Sequence, residues 1–181
     1  MTHAALKSHL FLIGYRGTGK TTIAQLLAEQ LSCDWIDLDA VIEETAGKTI
    51  RGLFSAGGEA LFRDWETRSL RQSIEDANQP EVISLGGGAI LNKENRGMIA
   101  GAGRCVWLTA TPSTIAKRIG ADETSGERRP ALTELSPTEE IQSVLRKREP
   151  IYRDVADTEI STENRSPEAI CREIVAWLQT L

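Results

Sequence analysis

Short apolar runs alternate along the chain with longer stretches in which apolar residues recur every three or four positions. The first run, His9–Ile13, is followed by such a stretch over Thr21–Leu31. Period-three-to-four spacing predicts an amphipathic helix, whereas a short bounded apolar run predicts a buried strand. Further strand-like runs lie at 33–37, 81–85, 104–108 and 158–161. This alternation predicts an α/β protein, with a parallel sheet covered by helices on both faces.

Three of the intervening segments begin with a hydroxyl residue followed by proline. They are Thr111-Pro112, Ser136-Pro137 and Ser166-Pro167. A hydroxyl side chain at the N-cap and a proline at the first helical position are typical of helix starts. Glu139 stands three residues after Ser136, which predicts a capping box.

Two stretches do not fit a plain strand–helix alternation. Residues 39–77 predict several successive helices, broken at Gly47 and at Gly57-Gly58, and are long enough to form a small substrate-binding region. Residues 120–135 are polar and rich in glycine and charge, which predicts a mobile lid. At 181 residues, we expect 1–181 to form one domain.

Composition narrows the classes of function. The net charge is −5, and the basic residues form no continuous stripe, so we expect neither nucleic acid nor a membrane as partner. No apolar run approaches the roughly 20 residues of a membrane span, and residues 1–8 do not resemble a secretory signal. Cys33, Cys105 and Cys171 have no metal-binding spacing and predict buried thiols in a reducing compartment. With only two histidines, both near the N-terminus, a histidine base is not expected.

The strongest chemical signal lies between the first strand and the first helix. Residues 14–21 read Gly-Tyr-Arg-Gly-Thr-Gly-Lys-Thr, the G-x-x-x-x-G-K-[ST] pattern of a phosphate-binding loop. Its glycines let backbone N–H groups point at phosphate, Lys20 reaches the β- and γ-phosphates, and the Thr21 hydroxyl coordinates Mg²⁺. The pattern predicts a nucleoside triphosphate at the start of the first helix.

Two carboxylates follow the second predicted strand, at Asp37 and Asp39. Residues two apart on an extended segment point the same way, so both can face one cleft. One could support the Mg²⁺ shell while the other accepts a hydroxyl proton during phosphoryl transfer. Alternatively, Asp39 serves only as the N-cap of the next helix.

Two further features lie near the predicted cleft. Gly86-Gly87-Gly88 follows the third strand and would let a ligand approach the backbone, or would act as a hinge. Arg63 and Glu66 stand three residues apart on a predicted helix and form either a surface pair or a clamp in which Glu66 orients Arg63 toward a carboxylate.

With these motifs in order, the chain resembles the shikimate kinases, a P-loop family similar in fold to nucleoside monophosphate kinases. The resemblance runs from about His9 to Leu178. Its landmarks are the phosphate loop, Asp37-Leu-Asp39, Phe62-Arg63 with Glu66, Gly86–Gly88, Arg129-Pro130 and Arg148-Glu-Pro-Ile-Tyr152.

The resemblance implies a three-layer α/β/α P-loop fold with five parallel strands in the order 2-3-1-4-5. It implies an ATP- and Mg²⁺-dependent kinase that phosphorylates the 3-hydroxyl of shikimate in chorismate and aromatic amino acid biosynthesis. A cytoplasmic monomer is expected, with shikimate and ATP as its small-molecule partners.

The family pattern also implies site residues. Those for shikimate are Ile50, Phe54, Phe62, Arg63, Gly86, Gly87, Gly88, Arg148 and Asp39. Those for ATP are Gly17, Thr18, Gly19, Lys20, Thr21, Thr22, Arg118, Arg129, Arg165 and Pro167.

Several of these residues have implied roles. Asp39 takes the substrate proton, and Lys20 and Arg129 stabilise charge in transfer. Arg129 is preferred to Arg128 as the lid arginine because Pro130 follows it. Thr21 is the direct Mg²⁺ ligand, with Asp37 in its outer shell.

Two other functions are compatible with a phosphate-binding loop. Another small-molecule kinase of this fold, for gluconate or a nucleoside monophosphate, would need a different acceptor pocket. A nucleotide-binding regulatory module that had lost catalysis could also have lost Asp39 or the lid arginine, yet both are present.

Overall fold

The central strand of the sheet is the apolar run His9–Ile13, here β1. A computed structural model describes residues 6–121 and 136–181. The other strands are β2 (Trp35–Asp37), β3 (Val82–Ser84), β4 (Gly103–Thr109) and β5 (Thr158–Ser161). They pair in parallel in the order β2-β3-β1-β4-β5, as the resemblance implied.

Two strands are shorter than the sequence predicted. The runs at 33–37 and 81–85 contribute only Trp35–Asp37 and Val82–Ser84 to the sheet, while β4 extends by one residue at each end of 104–108. Before β2, Ser32 caps the C-terminus of α1 in the left-handed conformation, with φ 54° and ψ 47°, so residues 33 and 34 form the connection to the strand.

The helices fill the intervals between the strands. They are α1 (Lys20–Leu31), α2 (Leu38–Ala46), α3 (Ile50–Asp76), α4 (Lys93–Ala102), α5 (Pro112–Ala121), α6 (Pro137–Val155) and α7 (Pro167–Leu178), with a 3₁₀ turn at Ala89–Leu91. The predicted capping box at Ser136 and Glu139 is confirmed, as is the cap at Ser166. None of the helices described is both long and apolar enough to cross a membrane.

The long helix α3 is interrupted where the sequence predicted. Its backbone leaves the helical conformation at Gly57 (φ −155°, ψ 17°) and Gly58 (φ 67°, ψ −163°). A positive φ of this kind is strained for any residue with a Cβ, so Gly58 is what permits the break. Residues 50–56 and 59–76 can therefore take different directions over the sheet.

Side chains of β1 point alternately to two cores. Phe11 and Ile13 belong to a cluster on the face covered by α2, α3, α4 and α6. Leu10 and Leu12 belong to a cluster on the face covered by α1 and α7. Because the sheet is buried on both faces, β1 reads as a continuous apolar run rather than an alternating one.

The cysteines serve these cores. All three are free thiols; Cys105 and Cys171 are buried and Cys33 is partly so. Burial raises the pKa of all three, that of Cys171 to about 11, so the thiols stay protonated near neutral pH. Packing rather than chemistry accounts for them, as the sequence predicted.

The start of β4 leaves no room for a side chain. A Cβ on Gly103 would lie 2.0 Å from the carbonyl oxygen of His9 on β1. We therefore expect Gly103→Ala to lower the free energy of unfolding by about 2–3 kcal/mol. Gly97→Ala on α4 is the matched control, because nothing lies within 4 Å of its Cβ and alanine favours the helix by up to ~1 kcal/mol. Urea denaturation would measure both; equal stability of the two variants would contradict this account of the β1–β4 contact.

Candidate active site

The phosphate-binding loop turns sharply between β1 and α1. Gly14 has φ +141°, and a Cβ there would lie 2.4 Å from the carbonyl oxygen of Leu108 on β4. Lys20 Nζ donates to the carbonyl oxygens of Gly14 and Tyr15, each at 3.0 Å. The Thr18 hydroxyl donates to the Tyr15 carbonyl at 2.8 Å. These contacts hold the loop around the N-terminus of α1, where backbone N–H groups and the helix dipole favour an anion.

Asp37 connects this loop to the next helix. Its Oδ2 accepts the Thr21 hydroxyl at 2.6 Å, and its Oδ1 accepts the Asp39 backbone N–H at 3.0 Å. The N-cap of α2 is thus Asp37, so the alternative that Asp39 is only a cap is wrong. The extended-segment argument is also wrong, since Asp39 lies inside α2. Both carboxylates nevertheless line one cleft.

The Thr21 hydroxyl and the Asp37 carboxylate fit a magnesium ion. Oxygen ligands are those that Mg²⁺ prefers. Among the residues that the structure describes, no group of three or more His, Cys, Asp or Glu side chains could hold a metal. A cation beside Thr21 would therefore depend on phosphate and water for most of its ligands, as is usual for Mg²⁺ with nucleotides.

The glycine triplet after β3 is the point at which the acceptor side of the cleft converges. A Cβ on Gly86 would lie 2.8 Å from Asp39 Oδ1 and 3.2 Å from Glu66 Oε1. A Cβ on Gly88 would lie 2.5 Å from Nη2 of Arg63. The space that a side chain would fill here is filled by other side chains of the protein. Cβ atoms on Gly86 and Gly88 would therefore displace the polar ends of Asp39 and Arg63, whereas a Cβ on Gly87 would lie 3.3 Å from the Gly14 carbonyl oxygen of the phosphate loop.

Arg63 is oriented by two carboxylates. Its Nη1 donates to Glu66 Oε2 at 2.7 Å, and the Glu66 side chain is 0% exposed. Its Nε and Nη2 donate to Glu59 Oε1 at 3.2 and 3.1 Å. Burial acts to lower the pKa of Arg63, but the two carboxylates outweigh it and raise that pKa. The Arg63–Glu66 pair is thus no surface pair, and the alternative that placed it there is wrong.

A second arginine approaches the triplet from α6. Arg148 Nη1 and the Tyr152 hydroxyl both donate to the Gly87 carbonyl, at 2.9 and 2.6 Å. Tyr152 is fully buried and stacks on Trp107, with ring centroids 5.4 Å apart. The sequence assigned Tyr152 no role, although its spacing of four residues from Arg148 places both on one helical face.

The predicted apolar wall is partly at the surface of the cleft. Ile50 lines it. Phe54 stacks on Phe62 at 4.9 Å between centroids, and Phe62 is fully buried. Phe62 therefore supports Phe54 from the core.

The predicted adenine-side residues surround the segment after β5. Arg118 donates to the Gly17 carbonyl at 3.3 Å and to the Thr162 carbonyl at 2.9 Å, joining this segment to the phosphate loop. Arg165 donates to the Ser161 carbonyl at 3.2 Å and pairs with Glu173. Pro167 begins α7.

The predicted lid falls almost wholly outside the described residues. Gly120 belongs to α5, so the helix reaches into the predicted segment. Residues 122–135, with Arg128, Arg129 and Pro130, are not among those described. The role of Arg129 stays a prediction.

One cleft of about 270 Å³ extends from the phosphate loop to Asp39 and the glycine triplet. It is lined by Arg16, Gly17, Gly19, Lys20, Thr21, Thr22, Asp37, Asp39, Ile50, Ser84, Leu85, Gly86 and Gly87. Arg16, Ser84 and Leu85 were not predicted; Ser84 and Leu85 carry no motif signal, and their position at the end of β3 was the only guide. Arg63 and Arg148 do not line this cleft but contact Gly88 and Gly87 beside it. An anion site next to a carboxylate, with two arginines near by, is suited to phosphoryl transfer onto an anionic hydroxylated acceptor.

Comparison with known proteins agrees with this geometry. The family profile described as shikimate kinase matches residues 16–179. A shikimate kinase of Rhodopirellula baltica is 48% identical over 168 residues, covering 92% of this chain and 88% of the relative.

Solved structures give the same family. Shikimate kinase from Acinetobacter baumannii in complex with shikimate has a TM-score of 0.87 at 31% identity, covering 96% of this chain and 93% of that one. A gluconokinase from Sinorhizobium meliloti has a TM-score of 0.58 at 16% identity, covering 98% and 94%, which reflects the fold alone.

Glu163 fastens the segment after β5 to the start of α5. Its carboxylate accepts the Thr114 hydroxyl at 2.6 Å and the Thr111 backbone N–H at 3.0 Å. These hydrogen bonds hold the pKa of Glu163 below its ordinary value of 4.5. Since the folded-state pKa is the lower one, the stabilisation is present above about pH 4.5 and is lost as the pH falls through the folded-state pKa.

We expect Thr114→Val to raise the pKa of Glu163, because the first of its donors is removed. Carboxyl-carbon NMR titration would measure it, with Glu163→Gln to assign the signal. Glu139, whose pKa is lowered by Ser136, is the internal reference and should not move. An unchanged Glu163 titration in the variant would contradict this origin of the shift.

Proposed function

The chain belongs to the shikimate kinase family, and on that premise we propose how its cleft transfers the γ-phosphate of ATP to the 3-hydroxyl of shikimate. It is an ATP-dependent kinase of the shikimate pathway, giving shikimate 3-phosphate and ADP for aromatic amino acid biosynthesis. The observation that supports the assignment of residues is the convergence of Asp39, Arg63 and Arg148 on Gly86–Gly88. That convergence lies beside the phosphate loop.

On the nucleotide side, the backbone N–H groups of the loop and Lys20 hold the phosphates. The other residues proposed to hold the phosphates are Gly17, Thr18, Gly19, Thr21 and Thr22. Thr21 would bind Mg²⁺ directly and Asp37 through its outer shell, and the ion when bound neutralises phosphate charge. The hydrogen bond between Thr21 and Asp37 already fixes both oxygens.

On the acceptor side, Arg63 and Arg148 bind the carboxylate of shikimate. Paired arginine forks give strong, directed hydrogen bonds to a carboxylate. Asp39 accepts hydrogen bonds from the hydroxyls of shikimate. It takes the proton of the 3-hydroxyl while the oxygen of that hydroxyl forms a bond to the γ-phosphorus. The bond from that phosphorus to the bridging oxygen of ADP breaks in the same transfer.

The remaining contacts are arranged around this centre. Ile50, Phe54 and Phe62 form the apolar wall behind the ring, and the Gly86–Gly88 backbone contacts it. Arg118, Arg165 and Pro167 flank the adenine. Arg129 closes over the phosphates and stabilises charge in transfer.

We propose a cytoplasmic monomer whose partners are its small-molecule substrates. Among the described residues, Leu181 is the one large apolar side chain that is exposed, at 55%. The part of the surface that the structure describes therefore gives a second copy little apolar area to bury. The net charge of −5 disfavours nucleic acid.

The acceptor assignment is tested by a coupled assay of ADP formation with shikimate, gluconate and a nucleoside monophosphate, against a blank without acceptor. We expect shikimate alone to raise ADP formation well above the blank. Turnover of gluconate or the nucleotide at the same rate would overturn it.

Asp39→Asn removes the proton acceptor but keeps the size of the side chain. We expect kcat to fall by at least ~10²-fold, the usual contribution of a general base, while ATP still binds. Glu44→Gln removes an exposed carboxylate from the same helix and should leave kcat unchanged. Steady-state kinetics and nucleotide titration measure both, and near-normal turnover of Asp39→Asn would remove Asp39 from this role.

A further inference from the structure

Arg63 meets two carboxylates of its own chain, and the two differ in exposure. Glu66 is 0% exposed, so it cannot leave Arg63 without remaining as a buried charge. Glu59 is 66% exposed, and water can solvate it as soon as it separates from Arg63. One partner of Arg63 is thus fixed and the other is exchangeable.

Glu59 holds one of the two edges through which a guanidinium binds a carboxylate. That edge consists of Nε and Nη2, and both donate to Glu59 Oε1. The other edge consists of Nη1 and Nη2. A Cβ on Gly88 would lie 2.5 Å from Nη2, 2.7 Å from Nη1 and 2.9 Å from Cζ, so this end of the guanidinium faces Gly88. When the carboxylate of a ligand approaches Arg63, one edge of the guanidinium is therefore bonded to Glu59 and the other faces the backbone at Gly88.

We propose that Glu59 holds the edge of Arg63 that the carboxylate of shikimate takes, and that the two carboxylates exchange there. The inference rests on the proposed function of Arg63 as part of the carboxylate clamp. Glu66 keeps its hydrogen bond to Nη1 throughout and so holds Arg63 in place during the exchange.

The position of Glu59 in the chain suits this exchange. It directly follows Gly58, at which α3 is broken, and so stands in the first turn of the segment 59–76. A negative side chain is stabilised in the first turn of a helix by the exposed N–H groups. Glu59 therefore has a favourable place in solvent after it leaves Arg63.

The exchange makes Glu59 a determinant of the affinity for ligands that carry a carboxylate. A ligand with a carboxylate replaces one charge-assisted hydrogen-bonded pair by another of the same kind. A neutral ring with the same hydroxyls cannot replace it and leaves Glu59 on Arg63. Glu59 thus lowers the affinity for shikimate somewhat, whereas a neutral analogue binds with Glu59 still on Arg63 and its affinity does not depend on the exchange.

Glu59→Gln tests the exchange, because it keeps the shape and removes the charge. We expect shikimate to bind about 2- to 5-fold more tightly in calorimetric titrations without nucleotide, the size of effect typical of a half-exposed ion pair. Asp64→Asn is the matched control: it removes one carboxylate from the same helix, where Asp64 pairs with Arg68. This control accounts for the increase in affinity that any anionic ligand gains when the protein becomes less negative. The affinity of Asp64→Asn for shikimate should stay near that of the wild type.

A second ligand separates exchange from a structural effect. The carboxamide of shikimate keeps the ring and hydroxyls but carries no charge. We expect Glu59→Gln to leave its affinity unchanged, whereas a general improvement of the pocket would strengthen both ligands. Glu59→Ala should shift shikimate affinity in the same direction as Glu59→Gln, and thermal unfolding establishes that each variant is folded.

Arg63→Lys separates this inference from the function on which it rests. If shikimate binds Arg63→Lys as tightly as the wild type, the clamp role of Arg63 is wrong. If Arg63→Lys weakens binding but Glu59→Gln matches Asp64→Asn or binds more weakly, the clamp stands and the exchange is wrong. Weaker binding in Glu59→Gln would show that Glu59 orients Arg63 for the substrate.

Discussion

The acceptor side of this protein depends on a length of backbone that carries no side chains. Gly86–Gly88 follows β3 beside the cleft, and Cβ atoms on Gly86 and Gly88 would meet the side chains of Asp39, Glu66 and Arg63. Because the three side chains come from α2 and α3, the triplet sets how closely these helices approach the sheet. Arg148 and Tyr152 complete the arrangement from α6 through the Gly87 carbonyl. One backbone segment thus aligns groups from three helices.

Asp37 makes one of the links between the nucleotide side and the proposed acceptor side. Asp37 accepts from the Thr21 hydroxyl with one oxygen and from the Asp39 N–H with the other. This carboxylate therefore links the first turn of α1 to the start of α2, on which Asp39 lies. In the proposed reaction, such a short connection would help to align the acceptor hydroxyl with the phosphate, and alignment of this kind is how proximity contributes to a transfer.

Much of the fold followed from local patterns, because the runs that form β1, β4 and β5 and the proline-marked starts of α5, α6 and α7 depend on neighbours in sequence. The phosphate loop was equally local. The prediction that Asp37 and Asp39 face one cleft is confirmed, but its reason was wrong. The two residues do not lie on one extended segment, because Asp37 is the N-cap of α2 and Asp39 lies inside that helix. The depth of Glu66 and the part played by Tyr152 were not predictable, because they depend on contacts with Gly86 and Gly87, which lie 20 and 65 positions away. Glu59 was missed although it stands only four residues before Arg63, a spacing that favours an ion pair on a helix. Family resemblance named most of these residues, whereas packing explains them.

Tyr152 has a further consequence, in optical rather than chemical terms. Its ring stacks on Trp107, which also lies 5.3 Å from the Arg153 guanidinium. Indole emission is sensitive to a neighbouring charge and to a stacked ring, and the Tyr152 hydroxyl is bonded to the carbonyl that Arg148 shares. Trp107 thus contacts Tyr152, which in turn contacts the Gly87 carbonyl of the proposed acceptor site. The fluorescence of Trp107 should therefore change when a ligand occupies that site. Trp35 and Trp177 pack against the opposite core and do not share this position, whereas Trp65 packs from α3 against the same core as Trp107.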